Sequence, residues 1–206
     1  MLAEDFLKQE YSYNTRQKLL SSLSIAYDEA NNIKLSNPGF TTKKGEETLI
    51  PIRNLLAETQ IKQNIDSRFL LNLEYHECKN YAQNCNHFEF ISKNAIMTVS
   101  RVNEKEKLPR GAIYRENLSL NNGQLSLFDN ENDESNDKKH ILLTHGCKEN
   151  KLSFAILGVP TADGKAWAYS IDLLNEPYII SDNTEDEFPT NVYKIKKNIT
   201  NVKDGN

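Results

Sequence analysis

No stretch of this chain approaches the roughly 18 consecutive apolar residues of a membrane-crossing helix. Its opening residues, with Glu4, Asp5 and Glu10, lack the apolar core of a secretory signal. Three cysteines, an odd number, do not make a disulfide framework. The expectation is a cytoplasmic protein without a membrane segment. Positive charge is also short: 25 Lys and Arg face 29 Asp and Glu, for a net charge of −4 and a pI near 5.7. That balance gives no whole-chain footprint for nucleic acid, so DNA contact would need a local patch or a partner. Missing as well are a Gly-rich phosphate loop, a Gly-x-Ser-x-Gly elbow and a His-Glu-x-x-His helix. Their absence favours a non-enzyme, and the sequence implies no cofactor. With 38% hydrophobic residues and a mean hydropathy of −0.65, part of the 206 residues is expected to be solvated rather than packed.

The chain changes period part-way along. Residues 1–14 read as a polar arm. From Thr15, a plausible N-cap, Leu19, Leu20, Leu23, Ala26, Tyr27 and Ala30 recur at helical spacing, and Asn37-Pro38-Gly39 stops them. A second helix is expected from near Pro51, with Ile52, Leu55, Leu56 and Thr59 on its buried face. The stretch 67–83 fits either period, with a lean to helix at its end. After His87 the period becomes two. Phe88–Ile91 and Ile96–Val102 read as strands joined across Ser92-Lys93-Asn94. His140–Thr144, Leu152–Val159 and Ala166–Leu173 read as three more, separated by turn-rich segments. Short connections favour antiparallel neighbours. The fold class is therefore α+β in a single domain, 1–206. A helical part spans 15–85 and a sheet of about five strands spans 87–174. A flexible acidic insertion is expected at about 117–139, and a disordered tail at about 182–206. The insertion holds five carboxylates between Asp129 and Asp137 with only Asn and Ser between them, which leaves nothing to offset ordering entropy.

Several constellations could carry chemistry. Arg101, Arg110 and Arg115, with Lys105 and Lys107, could grip phosphates near the Pro109–Gly111 turn, although Glu104, Glu106 and Glu116 are interleaved. His76, Cys78, Cys85 and His87 form a near-mirror set of zinc-type donors, but the His-x-Cys pairs depart from zinc-site spacing, and no metal is assigned. Glu149-Asn150-Lys151 has a Glu-x-Lys spacing known from metal-dependent nucleases, yet falls in an expected turn. His145 and Cys147 would share a strand face without making a triad. Trp167 and Tyr169, on alternate positions, are expected to point to one face of their strand.

The most direct lead is Gln124-Leu125-Ser126-Leu127-Phe128, immediately before the acidic run. It resembles the pentapeptide by which bacterial polymerases, repair proteins and replication regulators dock on the DNA sliding clamp. The resemblance implies an extended peptide in a groove, with Leu127 and Phe128 in an apolar pocket, Leu125 in a shallower one and Gln124 hydrogen-bonded at the far end. A competing assignment uses the same residues. In Asn117–Phe128, Asn122-Gly123 between alternating leucines is a hairpin signal that would set Leu118 and Leu120 against Leu125 and Leu127 on a buried side. The stretch 108–118, the acidic run and the Trp167 unit are together similar to small proteins of Gram-positive bacteria, their phages or mobile elements, and that similarity carries no activity. The leading function is thus a non-enzymatic interaction protein with the clamp as partner. The alternatives are a DNA-binding or DNA-processing accessory using Arg101, Arg110 and Arg115, and a structural member of an assembly.

Overall fold

Ser12 starts the first long helix. Its hydroxyl accepts a hydrogen bond from the Thr15 N–H at 3.3 Å, so the chain turns helical at Tyr13 and α2 runs Tyr13–Ser36. Thr15, the expected cap, is instead inside the first turn. The computed structural model describes residues 2–80, 83, 85–123 and 138–176. Ahead of α2 the expected polar arm is a helix, α1 (Ala3–Glu10), which buries Leu7 and packs Phe6 and Ala3 against the core. After a 3-10 turn at Pro38–Thr41, α3 runs Lys43–Asp66. It begins eight residues before Pro51, because the Thr42 hydroxyl caps the Gly45 N–H at 3.1 Å and leaves the proline inside the helix. Its buried residues are Leu49, Arg53, Ala57, Glu58 and Ile61, while Leu55 is exposed. Of the expected face, Leu56 packs against the core, Ile52 and Thr59 are half-buried and Leu55 is exposed, while the charged Arg53 and Glu58 take buried positions instead.

The remaining elements form one six-stranded sheet in the order β1 to β6. The strands are β1 (Glu74–Lys79), β2 (Asn86–Ile91), β3 (Ala95–Arg101), β4 (Lys139–Lys148), β5 (Lys151–Pro160) and β6 (Trp167–Asp172). β1 occupies the stretch that leaned to helix. All neighbours pair antiparallel except β3 and β4, which run parallel in register from Ala95↔Lys139 to Arg101↔His145. The α+β class and the helices-first order hold, with six strands rather than five and a mixed sheet rather than an antiparallel meander. Parallel neighbours need a crossover, and this one contains α4 (Ile113–Leu120). Residues 117–120, expected to begin a flexible insertion or a hairpin arm, are therefore the last turn of a helix. Residues 124–137 lie outside the described residues.

Two layers of helix cover opposite faces of the sheet. Ala95, Met97 and Val99 of β3, Ile141 and Leu143 of β4, and Ala155 and Leu157 of β5 share one face with Leu19, Leu23, Ala57 and Ile61 from α2 and α3. Each fully buried aliphatic side chain there contributes roughly 1.5–3 kcal/mol. Alternation turns Thr98, Ser100, His140 and Leu142 to the other face, where α4 lies. Farther along that face, Val102, Phe154, Ile156 and Trp167 make a small second cluster. Gly158 admits the indole, since a Cβ there would come within 2.7 Å of the Trp167 ring. A register shift at Val159/Pro160 separates Trp167 from Tyr169, which packs on the main core instead; the expected shared face is undone by this bulge. The β4–β5 turn, Glu149-Asn150, has positive φ of 53° and 65°, a two-residue hairpin turn of the type that matches strand twist.

Candidate functional site

Directly beneath α4 the sheet presents polar side chains. His140, 1% exposed, hydrogen-bonds the Ser119 hydroxyl through Nδ1 at 2.8 Å and the Thr98 hydroxyl through Nε2 at 3.0 Å. Burial, reinforced by the Arg115 guanidinium, pushes the imidazole down to about 3, so the ring is neutral at physiological pH. β4 pairs β5 only from Leu142↔Gly158 onward, which leaves the His140 peptide without a strand partner on that side. Asn122 supplies one. Its Oδ1 accepts from the His140 N–H at 2.8 Å, and its Nδ2 donates to the carbonyls of His140 at 3.0 Å and Pro160 at 2.9 Å. Asn122→Ala should destabilise the protein by about 2 kcal/mol through orphaned peptide groups. Urea titration measures the loss and amide exchange at His140 localises it; unchanged exchange there would refute the role.

Over this floor lies a cavity of about 260 Å³ between α4, the 108–111 segment and the β5–β6 loop. Leu108, Pro109, Leu142 and Pro160 give it apolar walls, and Arg110, Arg115 and Lys165 give it cations. Arg115 is held by its surroundings: Nη2 donates to the Arg110 carbonyl at 2.6 Å, Nη1 donates to the Tyr114 hydroxyl at 2.5 Å, and the guanidinium lies 4.9 Å from the Tyr114 ring centre. Tyr114 in turn stacks on His87 of β2 at 3.8 Å. Glu116 and Asp163 also line the cavity. The Asp163 carboxylate already accepts from the Thr161 hydroxyl and the Lys165 N–H, and these hydrogen bonds hold its carboxyl below the usual range. Behind Arg115, burial pushes the Glu58 carboxyl up to about 7 against the opposing pull of Asn54 and Arg115. Among the described residues no carboxylate lies within 4.0 Å of Arg110, Arg115 or Lys165.

A second polar cluster sits on the opposite face. His145, fully buried, hydrogen-bonds the Tyr27 hydroxyl through Nδ1 at 2.8 Å, and Nε2 has no partner among the described residues. Burial and the Arg101 charge push this imidazole down to about 3 as well. Arg53 donates to Asn150 Oδ1 at 2.8 Å, and Arg101 reaches the Cys147 sulfur at 4.0 Å and Asn103 Oδ1 at 3.0 Å.

This geometry separates the expected phosphate-gripping set. Arg101 belongs to the Tyr27–His145 side, whereas Arg115 meets the hydroxyl of Ser100, its strand neighbour, on the α4 side at 3.4 Å. Arg110 and Arg115 are together, with Lys165 as an unforeseen third. Gln124, Leu125, Ser126, Leu127 and Phe128 lie outside the described residues. Cys78 and His87 are register partners on β1 and β2, while Cys85 is exposed; no group of three or more His, Cys, Asp or Glu among the described residues could hold a metal ion. His145 and Cys147 do not form a hydrogen-bonded pair, and Glu149 lies in the β4–β5 turn, as expected, with Lys151 opening β5. Sequence reasoning missed Ser119, Asn122, His140 and Lys165. The His140 position in an alternating strand was visible, but its partners come from segments 18 to 42 residues away.

No family model, curated protein or solved structure matches this chain. No helix among the described residues is long and apolar enough to cross a membrane.

Proposed function

We propose that the protein is an interaction protein of bacterial or phage type that docks on the DNA sliding clamp through residues 124–128. The observation that carries the proposal is the pentapeptide Gln-Leu-Ser-Leu-Phe itself. Two features of its surroundings support it. Leu118 and Leu120, which the competing hairpin needs as a strand, belong to α4, and Leu120 is exposed. The chain also reaches the peptide from a seated position: Asn122 is tied to β4 and β5, and the next residue, Gly123, is exposed. Fourteen residues, 124–137, then precede Lys138, enough to present an extended pentapeptide without disturbing either anchor. Leu127 and Phe128 would supply most of the affinity, at roughly 1.5–3 kcal/mol for each buried side chain. Docking would tether the protein to the clamp or displace the clamp's usual clients.

Immobilised bacterial sliding clamp should retain the purified protein, and the double variant Leu127→Ala with Phe128→Ala should abolish retention without moving Tm. Retention unaffected by the substitutions, or a variant that unfolds, would refute the proposal.

A further inference from the structure

We infer that the cavity beside α4 is a binding site for a small organic oxyanion, a phosphate monoester or a carboxylate with a short carbon body. The site is independent of the pentapeptide and makes a different kind of contact. Its cations are arranged for an anion rather than for internal pairing. Arg110, Arg115 and Lys165 all line one concavity, and none has a carboxylate within 4.0 Å among the described residues. Arg115 enters pre-oriented, because Tyr114, Ser100 and the Arg110 carbonyl hold its guanidinium before any ligand arrives. Less rotamer entropy is then lost on binding. Of the acids in the lining, Asp163 is engaged within its own loop, and Glu116 folds over Gly111, where its Oε1 would stand 2.5 Å from an added Cβ. Three cations against two acids leave a net positive site on a chain whose overall charge is −4.

The rest of the lining sets the kind of anion. Leu108, Pro109, Leu142 and Pro160 offer apolar contact to a carbon body, and the floor presents Ser119 and a neutral His140. A volume of about 260 Å³ lies below the usual range for drug-sized ligands, which selects one charged head group and a few carbons. A polyanion fits less well: it would follow a surface stripe of cations, whereas Lys107 and Lys105, the next basic residues back along the chain, are paired with Glu104 and Asp172, and Arg101 is on the opposite face of the sheet.

The test uses the full chain and its variants Arg110→Glu and Lys165→Glu. Both residues are exposed, and neither side chain makes a hydrogen bond among the described residues, so the fold should be retained. Isothermal titration with inorganic phosphate, glycerol 3-phosphate and lactate, and with a single-stranded DNA oligonucleotide, separates the sources of the oxyanion. One of the organic probes should bind with 1:1 stoichiometry and should bind more tightly than inorganic phosphate. The charge reversals should weaken it at least tenfold while Tm without ligand stays unchanged. Amide shifts on titration should centre on Gly111 and Ser119. Binding to none of the probes, shifts centred elsewhere, or charge reversals without effect would overturn the inference. So would binding of DNA alone, which would assign the cations to a nucleic-acid backbone.

Discussion

Between pH 7 and pH 5 two buried imidazoles are expected to cost the folded protein about 4 kcal/mol, and by pH 4 about 6 kcal/mol. His140 and His145 are both pushed down to about 3 from an ordinary 6.5, by burial first and then by Arg115 and Arg101 respectively. Below pH 6.5 the unfolded chain takes up protons that the folded one refuses until about pH 3. The unfolded state therefore binds more protons throughout that window, and stability falls as pH falls. Glu58 acts in the opposite direction. Burial raises its carboxyl from 4.5 to about 7, so the folded state holds a proton that the unfolded state has released. Its contribution is complete below pH 4.5 and is lost as pH rises through about 7. Acidification to pH 5 returns about 2 kcal/mol, leaving a net loss of about 2 kcal/mol there and about 4 kcal/mol at pH 4. Since domains of this kind are stable by only about 5–15 kcal/mol, acid should remove a measurable share of the stability.

Urea midpoints from pH 8 to pH 4 read this directly. Glu58→Gln separates the carboxyl from the histidines: it should stabilise the protein at pH 8 by about 3 kcal/mol and make the acid loss steeper, because the compensating proton is gone. Wild-type stability that is flat or rising from pH 7 down to pH 4 would show that the histidines are not held neutral.

Glu176→Ala should destabilise the protein by about 3–5 kcal/mol. Arg16, in the first turn of α2, is 5% exposed. Its Nε donates to Glu176 Oε2 at 3.0 Å, its Nη2 donates to Oε1, and its Nη1 donates to the Tyr11 carbonyl. Glu176 follows β6, so this bidentate pair fastens the end of the sheet to the start of the helical layer. Removing the carboxylate leaves a buried guanidinium with one carbonyl hydrogen bond and the Tyr13 ring 5.9 Å away, which is why breaking such a pair costs more than the pair itself contributes. Tm should fall by roughly 10 °C, at about 2–4 °C for each kcal/mol in a chain of this size. The double variant Arg16→Met with Glu176→Leu should recover most of that loss. A Tm change under about 2 °C for Glu176→Ala would mean that solvent reaches Arg16.

Much of the fold was legible because local periodicity is a local property. β2 to β6 announce themselves through alternating apolar residues, and Asn37-Pro38-Gly39 ends α2 as its chemistry requires. The elements that escaped are those with few apolar positions. β1 is an edge strand in which only Tyr75 and Cys78 are half-buried. α4, eight residues long, contains Leu118-Ser119-Leu120, whose alternation imitates a strand. On α3, Arg53 and Glu58 occupy buried positions that an apolar template assigns to solvent. Of the site residues named in advance, Arg110 and Arg115 are together and Arg101 is not. Residues 109–111 line the same cavity, but no local signal pointed to Lys165, which arrives from the β5–β6 loop.

The sequence by itself determined the α+β class, the helices-first order, most strand positions and the β4–β5 turn, because each depends on residues within a few positions of one another. It also carries Gln124-Leu125-Ser126-Leu127-Phe128, the five consecutive residues on which the proposed clamp docking rests. Only the tertiary structure decided the parallel pairing of β3 with β4, the face on which α4 rests, and the environment that keeps His140 and His145 neutral. Those outcomes depend on partners far apart in the chain: Thr98 and Ser119 on one imidazole with Asn122 on its peptide, Tyr27 and Arg101 around the other. Burial and charge are properties of such assembled neighbourhoods, and a residue's own type and spacing do not contain them.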